Sequence, residues 1–591
     1  MKPELLAPAG SPASLRAAVE AGADSVYMGA LWNARLRARN FSPDELARAI
    51  SYCHQNGVKA YVALNIMVFE SELGRVAEYI RHVYEGGADA LIVQDLGVAA
   101  MARQIAPDLP LHASTQLSTH NSQSAKKLKA MGFSRLILAR ELAVEQAVQI
   151  KKNAGIEVES FCHGALCYSY SGKCFFSFAQ TGRSANRGAC AQICRFPWKL
   201  YSDGRFVKSG YLTSTKDLNT LADVPKIAQA GVDCIKIEGR LKDGAYVRAI
   251  VSAYRKAIDS GETADLSAYT SRGYTGGYLF GDAKKNKLTN PQPHSFLGGE
   301  IGKVLSNGRN GAQIELCAPL KKGDSIRSSS SGKILEVFRL YVNGREVERA
   351  DKKCTLLIKT LKAGDTLFSA TRAKIEDDVL EGVPVESKRK AKDFAPQTVS
   401  LSFAPVPKLF FAPSKADLSK APATSAVVVS MEDAEHPLFE KGRFAGVVVD
   451  TPRVVFDEEM AGVKKRMDEL SEEKPLAFMA SEPALVAEYP TIASPYANLS
   501  NTYAVCEFAA FGNLVHAVAS VELAGAEAKR IGLLPFTGRS LELMISENDL
   551  FFELGVKEGA LLELEDPNKN RFRILRKSGR TVVLKANHAP R

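Results

Sequence analysis

The sequence has no run of apolar residues approaching the roughly 18 uncharged positions that a membrane-spanning helix needs. Its opening stretch, MKPELLAPAG, has no apolar core of the kind a secretory leader carries. The chain is therefore expected in the cytoplasm, without a membrane partner. The motifs of common hydrolases and nucleotide enzymes are missing as well. There is no H-E-x-x-H, no G-x-S-x-G, no G-x-x-x-x-G-K-S/T and no G-x-G-x-x-G, which sets aside zincin proteases, serine esterases, P-loop enzymes and Rossmann dehydrogenases.

What is present is cysteine, ten of them. A reducing compartment argues against a disulfide framework, so clustered cysteines become metal or catalytic candidates. Four fall in one stretch, HGALCYSYSGKCFFSFAQTGRSANRGACAQICR, from His163 to Arg195: Cys167, Cys174, Cys190 and Cys194. The balance of 46% hydrophobic and 24% charged residues is that of a globular chain, and 591 residues exceed what one core can organise. A formal charge of +11 points to an anionic partner such as RNA, with a solvated basic surface as the alternative.

The first 250 or so residues alternate short β-branched runs with amphipathic helical stretches. The runs are ELLAPAG, ADSVYMGA, VKAYVALNI, ADALIVQD, LPLHAST, SRLILAR, IEVESFCHG and VDCIKIEGR. Seven of the eight intervals read as helices, as in SPASLRAAVEAG, with Ser11 as N-cap and Gly22 as stop. Strands alternating with helices imply parallel pairing, and eight of them imply an α/β fold of the (β/α)8 TIM type over residues 1–285. A doubly wound open sheet is the alternative. In a (β/α)8 barrel the loops after the strands form the active face. The cysteine-rich loop 162–195 follows the seventh strand, with a hairpin, WKLYSDGRFVKSGYLTS, behind it. Asn65, Gln94, Asp95, Thr115, Gln116, Arg140, Glu141, His163, Lys236, Glu238 and Arg240 end other strands and converge on the same face.

Residues 286–385 lose the helical period, and their short strands with Gly and Asn turns predict a small antiparallel β-barrel. A basic hinge, ESKRKAKDFAPQ, follows and reads as a solvated linker. Residues 386–591 return to α/β texture. TYAVCEFAAFGNLVHAVASVELAGAEAKRI echoes HNSQSAKKLKAMGFSRLILARELAVEQAVQI, which suggests a degenerate half-repeat. This part has only Cys506, so it is expected to be a scaffold or docking part.

The spacing C-x6-C-x15-C-x3-C suits an iron–sulfur cluster, whose corners lie several ångströms apart, better than a zinc ion held by short knuckles. A single zinc and unliganded thiols remain open. Cys162 is a fifth candidate, read with Cys53 and Cys234 as inert core. One thiol activated by His163 is conceivable, but a nucleophile needs one cysteine, not four. Arg183, Arg187, Arg195 and Arg240 are placed to receive a small dicarboxylate or RNA phosphate. Tyr168, Tyr170, Phe175 and Phe178 either stack a flipped-out base or pack the loop on the barrel rim, and packing is expected for the two phenylalanines.

The stretch ESFCHGALCYSYSGKCFFS, with RSANRGACAQICR, STKDLN, IKIEGRLK, LLAPAG, DSVYMG, NARLRARNF and HASTQLS in order, resembles the U32 family of collagenase-like peptidases. Phe176 stands where that family usually has an aliphatic residue. The long architecture is similar to the branch that makes 5-hydroxycytidine in 23S ribosomal RNA; other relatives hydroxylate tRNA uridines. The resemblance implies a 4Fe-4S cluster protein that inserts one oxygen atom into an aromatic ring, with prephenate involved. Some relatives carry a cysteine ligand where this chain has Asn219, which leaves Cys194 as the fourth ligand beside Cys167, Cys174 and Cys190. The candidate catalytic residues are then His163, Asp217, Lys236, Glu238 and Arg240, and the candidate substrate-binding residues Asn65, Gln116, Tyr168, Arg183, Arg187 and Arg195. The partner is expected to be rRNA, alternatively tRNA. A peptidase is the competing function, and a cluster-bearing binding protein a third.

Overall fold

The computed structural model describes residues 2–585 except 271, 281–287, 293–299, 309–310, 329–333, 370–376, 398, 413–417, 419, 435–442, 487–488, 537–540, 557–558 and 578. The eight expected runs are strands: Glu4–Pro8, Ser25–Met28, Lys59–Leu64, Ala90–Val93, Leu111–Ala113, Phe133–Ile137, Glu157–Ala165 and Cys234–Ile237. Each pairs in parallel with the next, and the eighth pairs with both the seventh and the first. The sheet is closed, not open. Its strands are buried on both faces, with Leu6, Tyr61, Ile92, Ile137 and Phe161 filling the interior, so they read as continuous apolar runs. The helix starts are written in the sequence. Ser11 accepts from the Ser14 amide with Pro12 in the first turn, and Ser42 forms a capping box with Glu45.

The expected hairpin exists, Trp198–Ser202 with Arg205–Gly210. It does not end there. Its first strand pairs with Leu562–Glu565, and Arg571–Lys577, Arg580–Lys585 and Glu542–Ser546 complete a six-stranded antiparallel sheet. Residues 542–585 thus leave the α/β texture read for the last third and close over the cysteine loop. The joint core contains Tyr168, Phe176, Trp198, Leu564 and Phe572. Phe176 stacks on Trp198 and meets Phe572 edge-on, with ring centroids 5.8 and 4.8 Å away. A flat ring there fills the space between loop and sheet.

Residues 300–369 form an eight-stranded antiparallel sheet around Ile314, Ile326, Leu340 and Leu367. The boundary read at 285/286 lies outside the described residues. The basic hinge is a strap, not a free linker. Glu386 accepts from Gln55, Arg389 donates to the Ala88 carbonyl at 2.7 Å, and the Lys392 amide bonds the Ile105 carbonyl. Lys388, Lys390 and Lys392 stay exposed, as the solvated reading has them, while Glu386 and Arg389 reach barrel groups that sequence alone does not show.

Six parallel strands follow in sequential order: Leu409–Phe411, Ala426–Ser430, Gly446–Asp450, Ala477–Ala480, Thr491–Ala493 and Leu514–Ala517. They repeat the order of the first six barrel strands, and the two copies dock through equivalent residues. Asn501 caps its helix at Ala504 and donates to the Val68 carbonyl and Asp95. Asn121 caps its helix at Ser124 and donates to the Val455 carbonyl and Glu482. Glu70 accepts from the amide and hydroxyl of Thr502, as Asp457 does from those of Ser122. Matching exchanges in both directions describe a pseudo-twofold interface between a barrel and its degenerate copy. Among the described residues no helix is long and apolar enough to cross a membrane.

Candidate functional site

The cysteine loop leaves the seventh strand at the C-terminal face of the barrel and is fixed by close backbone approaches. Gly172 has φ +78°, and a Cβ there would stand 2.0 Å from the Gln116 carbonyl oxygen. Only glycine fits. The last antiparallel sheet holds the loop from above, since the Tyr170 and Phe175 amides donate to the Ile545 and Leu543 carbonyls. From the repeat, Glu522 accepts from Ser184 and Asn186. Burial pushes the Glu522 carboxyl up to about 7.

None of the ten cysteines forms a disulfide; within the loop Cys167 is exposed and Cys174, Cys190 and Cys194 are half-buried. The four sense one another. Burial raises Cys174 well above the ordinary thiol range, with Cys167, Cys190 and Cys194 adding to it. Burial likewise lifts Cys194 to about 12, against the pull of Arg195. The Gln192 amide points at the Cys190 sulfur at 3.3 Å. Among the described residues no three His, Cys, Asp or Glu side chains stand close enough to hold a single metal ion. Cysteine thiolates are the ligands of both iron–sulfur clusters and zinc ions.

Arginines surround the thiols. Arg35 donates to Glu238 at 3.0 Å and lies within electrostatic reach of Cys167. The Arg140 guanidinium stacks 4.1 Å over Phe161 and donates to Ser171 at 2.6 Å, leaving its Nε without a partner. Arg195 donates to the Leu166 carbonyl at 3.1 Å, and Arg240 to Asn33; each keeps a buried Nη1 without a partner. Burial lowers Arg240 to about 10. Three guanidinium groups thus keep buried N–H bonds without partners beside the thiol-rich mouth.

The structure brings Glu238, Arg240, Arg195 and the four cysteines to this mouth, with Asn65 and Gln116 on its rim. Gln116 donates to the Asn65 carbonyl at 2.8 Å, and Asn65 orders the Ala34 amide. Other expected residues lie elsewhere. Lys236 points into the barrel one layer below Glu238, paired with Glu159 at 2.9 Å, under the rings of Tyr27 and Phe161. That salt bridge is structural. Arg187 is spent on Glu72 through two bonds of 2.8 and 2.6 Å, and stacks 4.0 Å over Phe69. Tyr168 is 2% exposed inside the loop–sheet core, so it packs and does not stack a base. Tyr170 is likewise buried, with its hydroxyl on Glu547 and Arg580; Phe175 packs as expected. Asp217 forms an ion pair with Arg272 and accepts from Thr270 at 2.9 Å. His163 is hemmed by Tyr246, Tyr254 and Tyr274, and burial lowers it to about 4, so it is neutral near pH 7. Arg183 stays half-buried. Of the mouth residues, Arg35 was missed by sequence reasoning. Its signal was the run NARLRARNF, four residues after the second strand's last glycine.

A family model described as Peptidase family U32 matches residues 10–289. The chain is 38% identical over 344 residues to the 23S rRNA 5-hydroxycytidine synthase of Escherichia coli, covering 55% of this chain and 52% of that one. It is 36% identical over 400 residues to an uncharacterized protease of Methanocaldococcus jannaschii, covering 62% and 97%. It is 38% identical over 268 residues to a tRNA hydroxylation protein of Bacillus subtilis, covering 44% and 64%. The chain thus spans about half the length of the first of these relatives.

Proposed function

The chain belongs to peptidase family U32, and from that premise we propose that it is a cytoplasmic RNA-modifying hydroxylase that replaces C–H with C–OH on one base, forming 5-hydroxycytidine in 23S rRNA. One observation carries the reading: four mutually interacting thiols share the barrel mouth with arginines whose N–H bonds are unused. Two of the three relatives described above are named for RNA hydroxylation, which supports the same class. In this reading Cys167, Cys174, Cys190 and Cys194 hold a 4Fe-4S cluster, which when bound supplies the redox chemistry. The chain's own residues do the rest. Arg35, Arg140 and Arg195 offset the negative charge of four thiolates. Glu238 holds Arg35 in place, and the free Nη1 atoms of Arg195 and Arg240 receive a small dicarboxylate, prephenate in this proposal, or an RNA phosphate. Tyr27 and Phe161 floor the pocket and keep Lys236 out of it.

A peptidase is less well supported. A cysteine nucleophile needs a lowered thiol pKa and a base within hydrogen-bond reach. Burial raises Cys174 and Cys194, and the described side-chain hydrogen-bond partners of His163 are Tyr254 and Asn219, neither of them a cysteine. Deletion of the gene is expected to remove one oxygen atom from one rRNA nucleotide, read by mass spectrometry of nuclease digests. Restoration requires all four cysteines. Unchanged rRNA together with peptide cleavage abolished by Cys167→Ser would overturn the reading.

A further inference from the structure

The seam between the barrel and its repeat holds a cavity; Gln116 of the mouth's rim reaches its edge, and none of the mouth arginines lines it. Equivalent residues of the two copies meet there. Gln94 and Ser481 each follow the fourth strand of their copy, and Leu117 and Ala497 each end the turn after the fifth. Lys173, next to the second cysteine of the loop, enters from the side. It is 6% exposed, and its described hydrogen bond is a long one of 3.4 Å to the Tyr496 carbonyl. Among the described residues no carboxylate stands within ion-pair distance of it. Glu482 is near enough to favour its charge, but the Glu482 Oε1 is taken by Asn121 and Ser124.

Around this ammonium stand polar atoms with nothing to bond. Both side-chain amide atoms of Gln94, the Ser481 hydroxyl and the Asn498 Oδ1 are buried without partners, and Gln94 and Ser481 are each 5% exposed. Buried polar groups in folded proteins are satisfied, and a buried charge is paired. Here the unmet groups are an ammonium, the Gln94 amide with both its N–H and its Oε1, a hydroxyl and the Asn498 Oδ1; the Asp95 carboxylate also lines the cavity, but its oxygens accept from the Val68, Gly97 and Val98 amides and from Asn501. The ammonium and the remaining N–H and O–H donors select an anion; the two unpartnered acceptors, Gln94 Oε1 and Asn498 Oδ1, select one that also carries O–H groups.

We propose that the inter-repeat cavity is a binding site for a small oxyanion, carboxylate or phosphate, with Lys173 as its charge partner, Gln94 and Ser481 as donors and Asn498 receiving its O–H. The site is built by both copies and does not depend on the RNA reading. Occupied, it ties the loop segment beside Cys174 to the repeat, so the anion couples the two copies.

The test uses the full-length chain, titrated calorimetrically and by thermal melting with inorganic phosphate, glycolate and acetate, with chloride as the ionic-strength control. One of these oxyanions should bind at one site per chain and raise the melting temperature beyond chloride. Phosphate or glycolate should outrank acetate, and whichever leads identifies the source of the oxyanion. Lys173→Met should weaken that binding about thirtyfold or more, the usual loss when one side of a buried charge pair is removed. In anion-free buffer the same variant should melt no lower than wild type, because it removes an unpaired buried charge. Ser481→Ala should weaken binding less, and keeps the test open if Lys173→Met fails to fold. Equal responses of wild type and both variants to every oxyanion would mean water fills the cavity and would overturn the proposal. So would a Lys173→Met protein that melts lower in anion-free buffer while binding as wild type does.

Discussion

Replacing Asn501 with alanine tests the pseudo-twofold interface at a single side chain. Three bonds are lost together. The helix 502–509 loses its N-cap, because the Asn501 Oδ1 accepts from the Ala504 amide at 2.8 Å, and such a loss costs about 1 kcal/mol. The Asn501 Nδ2 also donates to the Val68 carbonyl at 2.9 Å and to the Asp95 carboxylate at 3.0 and 3.1 Å. Asp95 is 5% exposed, so withdrawing a donor from its buried charge costs about 1.5–3 kcal/mol. The sum is about 3 kcal/mol, with the Val68 carbonyl adding little if water reaches it. Burial already raises the Asp95 pKa while Asn501 lowers it, so the substitution raises it further. A carboxyl whose folded pKa is raised destabilises the fold when ionised, so the deficit is full above that pKa and shrinks as the pH falls through it. Urea denaturation at acid and alkaline pH, with hydrogen exchange across residues 502–509, measures both effects. A loss below about 0.5 kcal/mol, the range of neutral surface changes, with unchanged exchange in that helix would refute the docking scheme.

Three further outcomes are expected. Glu522 has a folded pKa of about 7 against an ordinary value of 4.5, so its ionised form opposes folding; the penalty is absent below the ordinary value and complete above 7. Glu522→Gln should therefore match wild type near pH 4.5 and exceed it at pH 8 by up to about 3 kcal/mol, at 1.36 kcal/mol per unit, as melting across that range will show. Gly172→Ala forces a Cβ against the Gln116 carbonyl at a positive φ, and should lower iron content per chain and loosen exchange around Lys173 and Cys174. Cys194→Ser should abolish the brown absorbance of anaerobically purified protein while Cys53→Ser, in the barrel's helical layer, keeps it; a full cluster in the former would mean the ligand set is wrong.

The barrel was legible because each strand is a short apolar run followed by a capped helix, and those signals are local. The cysteine loop was legible for the same reason. What failed was depth and partnership. Lys236 and Glu238 lie on one inward face two residues apart, yet a layer of barrel separates them, and nothing in IKIEGR says that Tyr27 and Phe161 come between. Arg187 and Tyr168 read as site residues because they sit among cysteines; Glu72 and the strands from Glu542 onward claim them from far away in sequence. The repeat was visible as an echo of texture. Its docking through Asn121 and Asn501 was not, since an asparagine before a helix looks like a cap and nothing more. Lys173 passed unnoticed beside Cys174, because an unpaired buried ammonium can be recognised only once its surroundings are known.

The sheet that closes over the cysteine loop takes its first hairpin from residues 198–210 and its remaining strands from 542–585, which sets an order of events during synthesis. At ordinary elongation rates the ribosome needs on the order of tens of seconds to travel between the two. Once the eighth barrel strand, Cys234–Ile237, has followed the hairpin, the barrel strands are complete while the loop's outer wall does not yet exist. In the cluster-bearing reading proposed above, the thiols are then open to iron and sulfide, and the arrival of the last strands closes over them. In that reading a chain that finishes before delivery must reopen the sheet to be loaded, and the timing of assembly, more than affinity, sets how much of the protein is filled.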